Sequence, residues 1–224
     1  MRKKRPLDRK AKLVRDASLV VIASEDKYAV RQYFDFFESS RIQFKVLETQ
    51  DGKSAPEHVL ARLNEYIDEF EIGDGDTFWL ICDCGHWIEP NHIHNLTQAL
   101  KECRQKSIQF ALSNPCFDLW LYLHFADFPA EDKLTCGQVA QRLKAAAGGY
   151  DKTKIYNLPI DDRKVRVAVA RSTANQSCDS VIPTKPQTTI HLVIQNLISQ
   201  RIISVRPTNS ATGVEPGRRK SGKK

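Results

Sequence analysis

The sequence predicts an α/β protein: a mostly parallel central sheet with helices on both faces, followed by a helical C-terminal part. Three observations predict it. From residue 18 to residue 112, short apolar runs alternate with stretches at helical spacing, in the order β-α-β-α-β-α-β; such alternation implies parallel strands joined by right-handed crossovers. The run Thr77-Phe78-Trp79-Leu80-Ile81-Cys82 is nearly all apolar and bounded by Asp76 and Asp83; it is too short for a helix and reads as a strand buried on both faces. Beyond residue 112 the remaining periodic segments are helical.

Each element has its own signal. Ser18-Leu19-Val20-Val21-Ile22-Ala23-Ser24 is β-branched and apolar and forms the first buried strand, ending at Glu25-Asp26. A helical pattern follows, with Tyr33, Phe34, Phe36 and Phe37 mostly on one side. Ile42 to Leu47 alternates as a second strand, and Asp51-Gly52-Lys53-Ser54 is a turn. Pro56 opens a helix to about Phe70, carrying Val59, Leu60, Leu63 and Ile67 at helical spacing. Gly73-Asp74-Gly75-Asp76 breaks it before the central strand. Asn91 to Lys106 is a helix and Ser107 to Leu112 a fourth strand. Cys116 to Phe125 is apolar nearly all round, so it is expected to be a buried helix, with Asn114 as its cap and Pro115 in its first turn. Residues 135 to 147 form a helix stopped by Gly148-Gly149, and Tyr150 to Lys154 is a polar loop. Asp161 to Arg171 is a helix with a basic face of Arg163, Lys164, Arg166 and Arg171. Thr188 or Thr189 caps a last helix through Ile198.

The bulk numbers narrow the function. The chain has 224 residues, 41% hydrophobic and 27% charged, an ordinary globular composition. No apolar run reaches the ~20 residues a membrane helix needs, and no apolar core follows the basic start Met1-Arg2-Lys3-Lys4-Arg5-Pro6. A cytoplasmic protein with no membrane partner is expected. The net charge of +7 is concentrated at the ends, in residues 2–15 and 218–224. Basic arms suit DNA or RNA phosphates, and equally serve as solvated tails. The expected organisation is a basic arm at 1–16, one domain at 17–200 and a disordered basic tail at 207–224. No GxxxxGK[ST] or GxGxxG loop appears, so ATP or dinucleotide binding by this chain has no support. The six cysteines contain no CxxC pair and read as reduced core residues.

Several residues are candidates for chemistry. Asp83 ends the central strand, where ligands of open α/β sheets bind; it is either a site residue or a cap for the following turn. Cys82, Cys84 and His86 alternate, and on a continuing strand would share a face that can hold zinc. Asp118, one turn into an apolar helix, needs a partner or a metal. Asn114 either caps that helix or lines a site for substrate. His124 reads as a satisfied core histidine, and Trp79, Phe117, Trp120 and Phe125 as core.

Taken together these motifs resemble the RloB-like family of prokaryotic proteins over most of residues 16–200. The longest match is Ser113-Asn114-Pro115-Cys116-Phe117-Asp118-Leu119-Trp120-Leu121-Tyr122-Leu123-His124-Phe125, where Asp118 stands for the family glutamate. Pro186-Gln187-Thr188-Thr189-Ile190-His191-Leu192-Val193 matches a second element. The resemblance implies a Toprim-like, Rossmann-like fold and a role in abortive infection and antiviral defence, commonly beside an ATPase partner. It also implies a magnesium or manganese site for a nuclease acting on DNA or RNA, since such ions take hard carboxylate oxygens.

Carried over by position, Glu25 is the first-strand glutamate and Asp83 the first aspartate of the Asp-x-Asp pair. They are the expected catalytic residues, and Trp87 also matches. Two acidic positions are vacated: the family Thr-Glu falls at Ala29-Val30, and the second aspartate at Gly85. Three readings follow. The site is degenerate and the protein binds an ATPase or nucleic acid without chemistry; or Asp26 or Asp118 supplies replacement oxygens; or His86 replaces the lost acid, with a preference such as Mn²⁺. A zinc-stabilised module built on Cys82, Cys84 and His86 is a further alternative.

Overall fold

A computed structural model describes residues 2–4, 17–39, 41–49, 52–176, 180–199 and 204–205. Most of the expected basic arm, the expected tail and Cys178 lie outside these residues. The part of the arm that is described belongs to the fold: the Lys3 backbone pairs with Glu69 and Glu71, at 2.7 and 2.8 Å.

The elements in order are β1 (Ser18–Ser24), α1 (Ala29–Phe34), β2 (Phe37–Glu38), β3 (Ile42–Leu47), α2 (Pro56–Glu69), β4 (Thr77–Asp83) and α3 (Ile93–Gln105). Then come β5 (Gln109–Asn114), α4 (Asp118–Tyr122), α5 (Cys136–Ala147), α6 (Asp162–Ala174), β6 (Gln187–Thr188), α7 (His191–Ser199) and β7 (Ser204–Val205). The main sheet has the order β3-β1-β4-β5-β6. Its first four strands are parallel, and β6 is an antiparallel edge on β5. This is the expected mostly parallel sheet with an added edge.

Alternation along the central strands buries both faces. Leu19, Val21, Ala23, Leu80 and Cys82 point to one side, where α2 and α3 bring Val59, Leu60, Leu63, Leu96 and Leu100. Val20, Ile22, Trp79 and Ile81 point to the other, against residues of α1 and of α4 to α7. No helix among the described residues is long and apolar enough to cross a membrane.

The differences from expectation have local causes. The first helix ends at Phe34, and Phe37 enters β2, which pairs with β7. The apolar helix is shorter than its hydrophobic run, beginning at Asp118. Asn114 does not cap it: Asn114 is still in β5, paired with Gln187, and its side-chain amide donates to the Pro183 carbonyl at 2.8 Å. The Asn114–Pro115 peptide is cis. The last helix starts at His191 because Thr188 and Thr189 are engaged by β5, Thr188 Oγ1 with Ser113 Oγ and Thr189 Oγ1 accepting from the Leu112 N–H. The helix from Cys136 has the ends its sequence suggests. Thr135 and Gln138 form a capping box, and Gly148 closes it at φ 76°, a left-handed conformation that costs glycine nothing.

Candidate functional site

Four parallel strands end at one edge of the sheet. From β1 the chain crosses to β3 on one side, and from β4 to β5 on the other. The crevice between β1 and β4 is therefore the switch point at which open α/β sheets bind ligands. Glu25, just past β1, and Asp83, the last residue of β4, both stand there.

The two carboxylates are tied to the motifs around them. Glu25 Oε1 accepts from the Asp83 backbone N–H, and Oε2 from the Trp87 indole N–H at 3.2 Å. Asp83 Oδ1 accepts from the Phe117 N–H at 2.8 Å. The first-strand glutamate, the Asp-and-Trp segment and the Ser-Asn-Pro-Cys-Phe block thus meet at one point. Burial pushes the Glu25 carboxyl up to about 7, against the hydrogen bonds from Asp83 and Trp87. Burial and then the charge of Glu25 push Asp83 well above the carboxylate range. Two half-buried like charges disfavour one another's ionisation.

The other acids are also engaged. Asp26 is buried; Oδ1 accepts from the Tyr28 and Ala29 N–H groups at the start of α1, and Oδ2 meets Lys152 Nζ at 2.7 Å. Asp118 is buried, raised by that burial, and accepts from the Tyr150 hydroxyl at 2.7 Å. Lys152 is the charge common to the group. Burial works against its ammonium, but Asp26, Asp118 and Asp83 outweigh this and hold its pKa above the usual lysine value. Gln32 of α1 anchors the loop that carries it, donating to the Thr153 carbonyl and accepting from the Ile155 N–H, both at 2.9 Å.

This arrangement does not fit the magnesium or manganese ion that the resemblance implies. Such an ion needs several carboxylate oxygens turned to one point. Among the described residues no three His, Cys, Asp or Glu side chains form such a group. Both oxygens of Asp26 and of Glu25 face N–H donors or the lysine. The vacated positions are closed as well. Val30 is fully buried in the core. A Cβ at Gly85 would lie 2.8 Å from the Pro115 carbonyl oxygen, which Gly85 N–H itself binds at 3.0 Å. An aspartate cannot enter there unless backbone moves.

His86 is exposed and stands apart, its ring edge-to-face with Trp87 and tilted against His92, with centroids at 4.9 and 4.6 Å. The zinc reading fails on the same geometry. β4 stops at Asp83, so the alternation does not continue to His86, while Cys82 and Cys84 are packed in the α2–α3 core. His86 and Asn114 line a cavity of about 780 Å³, with Pro115 and Cys136 on its wall. His124 is a core histidine: a carbonyl only accepts, so Nδ1–H donates to Trp120 O at 2.9 Å, which leaves Nε2 to accept from the Tyr33 hydroxyl at 3.2 Å. His191 of the second motif pairs with Ser172 at 2.7 Å, away from the acids. The basic helix face is partly used internally. Arg171 binds Asp127 and the Leu123 carbonyl, and Lys164 lies over the Phe125 ring.

Nothing in the sequence separates Lys152 and Tyr150 from the residues of any polar loop. The one available signal was indirect: a set of buried acids requires a cation, and this loop carries two lysines.

No curated protein and no solved structure matches the chain. A family model, that of the RloB-like proteins, matches residues 20–197, and it spans the sheet, the acidic crevice and both matching motifs; the chain belongs to the RloB-like family.

Proposed function

We propose that this chain is a phage-defence protein of Toprim-like type that has lost metal-dependent hydrolysis and acts by binding, as a nucleic-acid-handling companion of an ATPase. One observation carries the reading. Lys152 pairs with Asp26 at 2.7 Å and acts electrostatically on Asp83, Asp118 and Glu25, so a positive charge already serves the acids that a catalytic ion would need. A fixed ammonium neutralises the acids without supplying the open coordination positions that activate water. Gly85, closed against Pro115, removes the carboxylate that would restore them. The defence role, the ATPase partner and the nucleic acid rest on the family resemblance and on the net charge of +7.

A second reading, a metal-dependent nuclease, draws on a specific observation. Glu25 and Asp83 stand at the switch point with their carboxyls raised by burial and like charge, a repulsion that a divalent cation relieves. One experiment separates the two: incubation of plasmid DNA and bulk tRNA with the protein, with Mg²⁺ or Mn²⁺ and with any ATPase encoded beside it. The binding reading expects retardation of nucleic acid or capture of the ATPase, with no cleavage. Cleavage that requires metal and disappears in Asp83→Ala establishes the nuclease instead.

A further inference from the structure

We propose that the cavity beside the acidic crevice takes one unpaired nucleotide of a nucleic-acid strand, its base on His86 and its phosphate at Lys133; this role rests on the nucleic-acid binding proposed above. The cavity measures about 780 Å³, inside the ~300–1,000 Å³ range of ligand sites. Gly85, just past β4, and Asn114, the last residue of β5, are on its wall. It therefore opens at the carboxyl ends of the strands, where ligands of open α/β sheets bind.

The wall carries three groups that a nucleotide needs. His86 supplies a flat surface. It is exposed and lines the cavity, and Trp87 and His92 pack against its ring at 4.9 and 4.6 Å, so the ring is held in place. A fixed aromatic ring is a platform on which a base of any sequence stacks. Asn114 supplies an acceptor, although it is only 6% exposed. The Pro183 carbonyl only accepts, so Asn114 turns Nδ2 to it, at 2.8 Å, and Oδ1 the other way. Oδ1 meets no donor among the described residues, nor is it shut off from solvent; it is left to the cavity, where the N–H groups of a base edge can donate to it.

Lys133 supplies the charge. In Glu131-Asp132-Lys133 both acids are engaged elsewhere, Glu131 by Arg142 and Asp132 by Lys185 at 2.8 Å. Lys133 is exposed, lines the cavity and pairs with no carboxylate among the described residues. An ammonium not neutralised within its own fold is available to a phosphate. A base inside a duplex is stacked and paired and cannot reach such a wall, so the strand that enters is single.

The test uses the full chain with fluorescein-labelled, mixed-sequence RNA and DNA oligonucleotides, single-stranded and duplex, followed by anisotropy, and with nucleoside monophosphates as competitors. Single strands are expected to bind more tightly than duplexes. His86→Ala, a change at an exposed position, should weaken them about tenfold. Thr184→Trp, which brings an indole into the cavity from an exposed position on its wall, should do the same. A third readout needs no variant. Cys136 is exposed on the same wall, so saturating single strand should slow its alkylation by iodoacetamide several-fold, located by peptide mapping. Single strands that bind the wild type and both variants equally and leave Cys136 unprotected overturn the cavity, while nucleic-acid binding stands. Protection of Cys136 by monophosphates without binding of any strand overturns the strand and leaves a free-nucleotide site. A wild type that binds no strand, duplex or monophosphate overturns both the cavity and the nucleic-acid reading.

Discussion

The two faces of the sheet are built by different means. The α2–α3 face is made of consecutive β-α-β units, and its buried set is mainly aliphatic, with Leu60, Leu63, Leu80, Leu96 and Leu100 at its centre. The opposite face collects α1, α4, α5, α6 and α7 from across the chain. At its centre Tyr33 touches Phe34, Phe36, Phe37, Phe117, Trp120 and His124 edge to face, with centroids between 5.4 and 6.1 Å. The first face supports the strands. The second also positions charge, because Asp26 holds the first N–H groups of α1, Gln32 lies on that helix, and the Lys152 loop docks there. A face assembled from distant segments can bring together groups that no local pattern joins.

The largest expected effect compares the two cores directly. Trp120→Ala removes a fully buried ring packed on Tyr33 and His124 at 6.0 and 5.1 Å and should cost about 4 kcal/mol, against about 3 kcal/mol for Leu63→Ala on the other face. Urea unfolding measures both. A smaller loss for Trp120→Ala than for Leu63→Ala would show that the aromatic face is not the tighter one.

Acid sensitivity between pH 6.5 and 4 should belong mainly to the aromatic face. Burial holds the His124 pKa down, from 6.5 to about 4. The folded state therefore binds fewer protons than the unfolded state between those values, and stability falls as pH drops through that window. The full loss is about 3 kcal/mol. Unfolding free energies at several pH values, in the wild type and in His124→Asn, check it: the slope between pH 6.5 and 4 should flatten in the variant.

Gly85 sits where the two regions meet the crevice. Gly85→Ala should destabilise by about 2 kcal/mol through overpacking on Pro115, whereas Gly149→Ala, with nothing within 4 Å of the added Cβ, should be close to neutral. Thermal unfolding of the two variants is sufficient, and a neutral Gly85→Ala would mean that the closed position yields easily.

The smallest effect on stability is the most informative about the crevice. Lys152→Met should cost about 1 kcal/mol, well below the loss for a fully buried pair, because the lysine side chain is 45% exposed. Its effect on titration is clearer. Lys152 lowers the Glu25 pKa, so the Glu25 midpoint, followed by carboxyl NMR, should rise above about 7 in the variant. Since that pKa is raised in the fold, from 4.5 to about 7, the Glu25 contribution is present below pH 4.5 and lost as pH rises through 7. Lys152→Met moves the end of that window upward. An unmoved midpoint would remove Lys152 from the centre of the group.

Much of the fold was legible for physical reasons that act locally. Strands buried on both faces announce themselves as unbroken apolar runs, as in Thr77–Asp83, and amphipathic helices by spacing, as in Pro56–Glu69. The position of Glu25 and Asp83 at strand ends was legible too. What escaped were elements defined by their partners. β6 and β7 are two residues each, too short to carry a period, and they exist because β5 and β2 offer free edges. Thr188 looks like a helix cap, yet its hydroxyl is taken by Ser113.

The sequence by itself determined the parallel sheet, the two buried faces and the two acids at strand ends, because burial, periodicity and chain direction are written in neighbouring residues; the strand order that makes those ends a switch point came from the fold. It also puts Val30 and Gly85 at the two positions where the resemblance leads one to expect acids. Only the tertiary structure decided what fills the acidic crevice. Asp26 and Asp118 hold their places through Lys152 and Tyr150, which lie 126 and 32 residues away along the chain; in a buried, charged group the nearest counter-charge in space decides the electrostatics, and that neighbour is fixed by packing rather than by sequence distance.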